Sequence, residues 1–244
     1  MDVKAKVKIL VQQVVEAYIK EQLKINKNQS IAILLGYQSP NPSEILKAIT
    51  PLLVHYDVTI LLTKEWLPVP EQIGGTTYLR LEDTSQVDLM EIVEKTSLLV
   101  VPAASYRLLS KLALTMDDEA GVWLAIQYQL LGKPIVIANN YVEPNVYQQI
   151  HAPYSVQERL QSYIRQIRTD QVNWIPLSKL NQNIADQLQA FEAKKSLILE
   201  KHIEHAQRDG LTEISLPQKS QVTPAAKDLA REYNIQIKQS SKGG

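Results

Sequence analysis

The sequence predicts a three-layer α/β protein. A doubly wound parallel sheet forms the main domain, preceded by an N-terminal amphipathic helix and followed by a small C-terminal α+β appendage. Two observations carry the sheet. Four short apolar runs, residues 30–36, 58–63, 98–102 and 134–138, are continuous rather than alternating, as in strands buried on both faces. Between them lie segments with apolar residues at three- and four-residue spacing, as crossover helices require. A third observation is size: 244 residues, 45% hydrophobic and 21% charged, suffice for one large core with appendages.

The elements follow in order. Residues 2–24 predict a helix with Val3, Val7, Leu10, Val11, Val14, Val15 and Tyr18 on one stripe. This helix either packs on its own domain or docks on another protein. The polar stretch Asn26–Ser30 separates it from the first strand. Ser43 caps the next predicted helix, which Pro51 should kink or shorten. After the strand at 58–63, Pro68, Pro70 and Gly74-Gly75 mark a loop, and 77–81 suits a short strand. A helix over 88–94 leads to the strand at 98–102. Helices over 106–114 and 119–131 follow, the second stopped by Gly132 before the strand at 134–138. Beyond residue 150 the pattern is helical, over 156–167, 182–191 and 195–207. Thr223 and Pro224 then open a well-capped short helix flanked by two short strands. Ser240–Gly244 is a polar tail. The predicted divisions are 1–25, a possible docking or encapsulation peptide, 30–194, the α/β domain, and 195–240, the C-terminal module.

Composition removes several classes of function. Twenty-six basic residues balance twenty-six acidic ones, so there is no electrostatic footprint for nucleic acid. The absence of cysteine excludes disulfides, thiolate nucleophiles, Cys-ligated zinc and iron–sulfur clusters. No apolar run approaches the ~20 residues that cross a bilayer, and Met1 leads into an amphipathic stretch, so neither a membrane span nor a secretory signal is expected. A cytoplasmic location is the expectation.

In an open parallel sheet, ligands sit beyond the carboxyl ends of the strands, so the loops at 36–42, 63–65, 102–107 and 139–145 hold the candidate chemistry. Neither a Gly-x-Gly-x-x-Gly turn nor a Walker loop is present. Gly36-Tyr37-Gln38-Ser39 either offers N–H groups and a hydroxyl to a phosphate or forms a plain strand-to-helix turn. In Pro102-Ala103-Ala104-Ser105-Tyr106-Arg107, small residues admit a flat ring, Ser105 can donate and Arg107 can pair a phosphate. The alternative is a helix cap by Ser105 with Arg107 at the surface. Asp117-Asp118-Glu119 either binds Mg²⁺ or complements a helix N-terminus. His202 and His205 supply only two of a metal's usual three or four ligands, so no metal is expected.

The run Pro102-Ala103-Ala104-Ser105, then Lys111–Asp117, then Lys133–Ala138, resembles the family of homo-oligomeric flavin-containing cysteine decarboxylases, over roughly residues 30–150. The resemblance implies a flavodoxin- or Rossmann-like fold and an FMN pocket between subunits. That pocket would be lined by Gly36, Ser39, Thr63, Ala104 and Ser105, with Arg107 either anchoring the phosphate or blocking the pocket. The family's Asn-Thr pair falls on Arg107 and Leu108, and its Gly on Thr115. The decarboxylase His has no counterpart among Val87-Asp88-Leu89-Met90, and Ala138-Asn139-Asn140 replaces Pro-x-Met-Asn. A redox role for bound FMN is therefore implied, and cysteine decarboxylation is not. A flavin-free scaffold or adaptor is the alternative.

The segment Thr223-Pro224-Ala225-Ala226-Lys227-Asp228 is similar to a module of proteins from bacterial microcompartment operons for ethanolamine or diol utilisation. The subunit-binding domain of acyltransferase complexes has a similar string. The N-terminal stripe resembles encapsulation peptides. These likenesses imply shell or cargo proteins as partners.

Overall fold

The computed structural model describes residues 29–239 apart from 38, 71, 72, 74, 195 and 217–219. The amphipathic helix expected over 2–24 and the tail at 240–244 lie outside the described residues. The chain divides into two compact units between Phe191 and Glu192.

In the first unit, β1 (Ser30–Leu35), β2 (Asp57–Leu62), β3 (Tyr78–Arg80), β4 (Leu98–Val101), β5 (Ile135–Ala138) and β6 (Val172–Ile175) form one sheet, in the order β3-β2-β1-β4-β5-β6. Every pairing is parallel. The chain works outward from β1 to β3, then crosses back to β4 on the other side of β1. Strand order therefore reverses between β1 and β4.

The period-2 rule sorts the strand side chains into two cores. Ala32, Leu34, Leu99, Val101, Ile135 and Ile137 face one layer of helices: α2 (Gln86–Lys95), α3 (Tyr106–Ala113), α4 (Ala120–Leu130) and α6 (Tyr154–Thr169). Ile31, Ile33, Leu35, Ile60, Leu98 and Val136 face α1 (Pro42–His55) and α7 (Leu180–Ala193). Both faces are covered, which is why the strands carry unbroken apolar runs. The short α5 (Val146–His151) contributes no buried residue.

Several local expectations are corrected. Asn41, not Ser43, caps α1, its side chain accepting the Glu44 N–H, and Pro42 takes the first helical position. Pro51 neither kinks the chain out of the helix nor stops it, since α1 runs on to His55. The strand β6 was not expected. Its four residues, VNWI, are too short a run to stand out between two helices. The helix expected over 195–207 begins only at Glu200, because Leu197–Ile198 is a strand.

The second unit is built from β7 (Leu197–Ile198), α8 (Glu200–Arg208), β8 (Glu213–Leu216), β9 (Gln221–Val222), α9 (Pro224–Glu232) and β10 (Gln236–Gln239). It is an internal repeat. The strand-and-helix part of the first half recurs 24 residues later, as comparison of the two helix ranges shows. Gly210 and Asn234 occupy equivalent left-handed positions at φ 70° and 55°. Leu211 N donates to Ala206 O, and Ile235 N to Ala230 O, at 2.8 Å each. Among the described residues the halves pair with each other, β7 with β9 and β8 with β10, both parallel. Ile203, Ala206, Ala226, Ala230 and Ile235 make a separate small core.

Candidate functional site

A polar cleft of about 250 Å³ opens at the carboxyl ends of β1, β2 and β3. This is where strand order reverses, so diverging connections leave a crevice there. Gly36 and Tyr37 come from the end of β1, Thr63 and Glu65 from β2, and Leu81 and Glu82 from β3. Arg107 reaches in from the first turn of α3, and Glu119, Ala120 and Gly121 from the start of α4.

The Tyr37 ring is buried, and Trp66 Nε1 donates to its carbonyl at 3.0 Å, which fixes the turn after β1. Burial, and then the neighbouring Glu119 carboxylate, push the phenol pKa far up, so Tyr37 is a neutral donor at every physiological pH. The Thr63 hydroxyl oxygen is buried and completes no well-directed hydrogen bond. It lies beside the Glu65 carboxylate, whose pKa it lowers as the leading cause. Glu82 accepts the Lys64 N–H at 3.0 Å.

At the mouth, Arg107 Nε lies 3.4 Å from Glu119 Oε1. Lys111 Nζ bridges Glu119 at 2.5 Å and Asp118 at 2.8 Å. Asp118 and Glu119 of the acidic run thus serve ion pairs. Among the described residues, no cluster of three or more His, Asp or Glu is arranged to hold a metal. Glu119 stands at the N-cap of α4 without capping it by its side chain, and Ala120 and Gly121, the first residues of that helix, line the cleft.

Of the residues singled out from the sequence, Gly36, Thr63 and Arg107 line this cleft. Ser39 is buried behind it and accepts the Asn41 N–H at 3.1 Å. Ala104 belongs to the core beneath α3. Ser105 caps α3, accepting the Leu108 N–H at 3.1 Å. The loop at 139–145 closes on neighbouring segments: Asn140 Oδ1 accepts the Leu177 N–H at 2.6 Å, and Tyr141 donates to Glu44 at 3.3 Å. Glu82 and the α4 N-terminus were not foreseen. β3 is only three residues long, and nothing local to Ala120-Gly121 signals that they line a cleft with the end of β1.

An FMN site needs donors for an anionic phosphate and a polar ring edge. The cleft offers a guanidinium, a helix start without a side-chain cap and a buried hydroxyl beside Glu65, so its donor set fits such a group. Its volume of about 250 Å³ lies just below the roughly 300–1,000 Å³ of pockets that enclose a small molecule.

No protein-family profile and no curated protein sequence matches the chain. Solved structures of the same fold do. The apo form of DmrB from Burkholderia xenovorans, described as a cubic protein cage for redox transfer, is 15% identical, with TM-score 0.54, over 68% of this chain and 98% of that one. The same protein in complex with FMN is 14% identical, with TM-score 0.51, over the same shares. The FMN-dependent cysteine decarboxylase TvaF of thioviridamide biosynthesis is 14% identical, with TM-score 0.50, over 68% of this chain and 99% of that one. The six-stranded parallel sheet of this chain therefore has the flavodoxin-like fold found in these flavoproteins.

Proposed function

We propose that the chain is a homo-oligomeric flavoprotein that holds FMN at the carboxyl edge of its sheet and supports a redox step. The observation that carries this reading is the convergence of the Thr63 hydroxyl after β2, the Arg107 guanidinium of α3 and the start of α4 on a crevice at the reversal of strand order. The folds of DmrB and TvaF, both described with FMN, support it. Bound flavin supplies the electron chemistry. The residues of the chain supply binding. Arg107 pairs the anionic edge, and the Ala120 and Gly121 N–H groups and the Thr63 hydroxyl donate beside it. Lys111 keeps Glu119 compensated when Arg107 turns to the ligand. Tyr37, held protonated, closes the floor against water. Cysteine decarboxylation is not assigned, because the positions that resemble its His and Pro-x-Met-Asn carry other residues.

A second reading, a flavin-free adaptor, is favoured by the existing Arg107–Glu119 pair, by the Ser39 hydroxyl's bond to the Asn41 N–H and by the capping role of Ser105. One titration separates the two. Purified protein is examined by visible absorption and titrated with FMN, alongside Arg107→Ala. Stoichiometric binding that weakens roughly 10- to 100-fold in the variant, the scale of a lost charge-assisted hydrogen bond, supports the flavoprotein. No binding by the parent, or tighter binding by the variant, establishes the adaptor. Placement in a microcompartment rests on the resemblance of residues 1–25 and 223–228 to compartment proteins. Shell proteins should be captured by the full chain and lost when residues 1–25 are removed.

A further inference from the structure

Two carboxylates that line the polar cleft, Glu65 and Glu82, have no task in the binding described so far. Glu65 follows β2 and Glu82 follows β3, and both strands lie on one side of β1. Arg107 enters from α3, which follows β4 on the other side of β1. The cleft is therefore polarised along the sheet, with acceptors at one end and a guanidinium at the other.

Those acceptors are available to a ligand. Arg107 and Lys111 compensate Glu119, and Lys111 also pairs with Asp118. Among the described residues, neither Glu65 nor Glu82 forms an ion pair. Glu82 gives one oxygen to the Lys64 N–H, and Glu65 lies beside the Thr63 hydroxyl. An ionised carboxylate accepts hydrogen bonds and repels an anion. The end at β2 and β3 thus suits neutral donors and rejects phosphate, whereas a guanidinium pairs phosphate well. A ligand that satisfies both ends carries hydroxyl groups along one part and a phosphate on the other.

Size narrows the class further. The cleft holds about 250 Å³, less than the roughly 300–1,000 Å³ of pockets that enclose a drug-sized molecule. A phosphorylated five-carbon polyol is well below that size, and a flavin ring joined to it is not. We infer that the cleft is a pentitol-phosphate site, in which Glu65 and Glu82 accept from the chain hydroxyls, Arg107 pairs the phosphate, and any attached ring lies outside. The choice of a polyol rests on the flavin reading, since the ribityl phosphate arm of FMN is such a chain. Beyond that reading, Glu65 and Glu82 become the residues that set specificity, and a free polyol phosphate becomes a ligand in its own right.

The test is calorimetric titration of the full chain with ribitol 5-phosphate, inorganic phosphate and FMN. Ribitol 5-phosphate should bind at least about tenfold tighter than inorganic phosphate and should displace FMN, the gain being that of hydrogen bonds to charged groups. Glu65→Met/Glu82→Met, with an unchanged circular dichroism spectrum, should weaken ribitol 5-phosphate at least about tenfold. The same variant should bind inorganic phosphate more tightly, because two negative charges have left the cleft. Opposite signs separate recognition from collapse of the cleft, which would weaken both ligands. The proposal is overturned if ribitol 5-phosphate binds no tighter than inorganic phosphate, or if the folded double variant weakens both ligands or neither. FMN that binds without being displaced by ribitol 5-phosphate overturns the pentitol site and leaves the flavin reading standing. Ribitol 5-phosphate that binds as expected, beside FMN that does not bind, removes the flavin reading alone.

Discussion

Thr115 is a β-branched residue held at φ 55°, at the C′ position that closes α3. Its N–H donates to Leu112 O at 3.2 Å, and the Met116 N–H to Lys111 O at 2.8 Å, which is the Schellman arrangement. Steric cost in the left-handed region is about 1–2 kcal/mol for a residue with a Cβ. Thr115→Gly should therefore raise unfolding free energy by about 1 kcal/mol in urea titrations, after the added chain entropy of glycine is deducted. Lys111 and Asp118 belong to this scale too. Asp118 is held below its usual 3.8, first by the Lys111 hydrogen bond, so its contribution is present above that pH and is lost as pH falls through the lowered value. Lys111 is held above its usual 10.5, first by Asp118 and then by Glu119. Its contribution is complete below 10.5 and is lost as pH rises through the raised value. Lys111→Met should flatten both limbs of the urea midpoint against pH. A variant whose midpoint keeps the parent's pH dependence would show the pairs to be idle.

Elements were legible where a physical rule acts within a few residues. β1, β2, β4 and β5 announce themselves because burial on both faces demands unbroken apolar runs. α4 ends where Gly132 supplies a left-handed residue, at φ 63°. The start of α1 was misplaced because three residues, Asn41, Ser43 and the intervening Pro42, all suit a helix start, and only the chain path chooses Asn41. Asn41→Ala should cost about 1 kcal/mol, read by chemical denaturation, and Ser43→Ala much less. The candidate site was half legible. Gly36, Thr63 and Arg107 follow from the rule that strand ends hold ligands, whereas Ala120 and Gly121 enter through tertiary packing of α4 against the β1 turn. Ser39 and Ser105 show why hydroxyls in such loops mislead: a cap and a ligand donor look alike in sequence.

At the scale of the molecule, the two units carry separate cores, and the three tryptophans, Trp66, Trp123 and Trp174, all belong to the first. Tryptophan fluorescence therefore reports on the sheet unit alone. Ile203 is fully buried in the small core, and Ile203→Ala should remove about 2–5 kcal/mol, more than a unit of this size has to spare. Far-UV circular dichroism should then lose a low-temperature component while the fluorescence transition stays where it was. Movement of both together would mean a single cooperative unit. The small unit is also indifferent, in its contacts, to which half comes first. Each of its strands finds its partner in the opposite half, and both helices end in the same left-handed turn. A chain in which residues 221–239 precede 197–216, joined by a short polar link, would meet the same pairings in the same registers. The order of the two halves is thus a matter of genetic history, and the fold would not register its reversal.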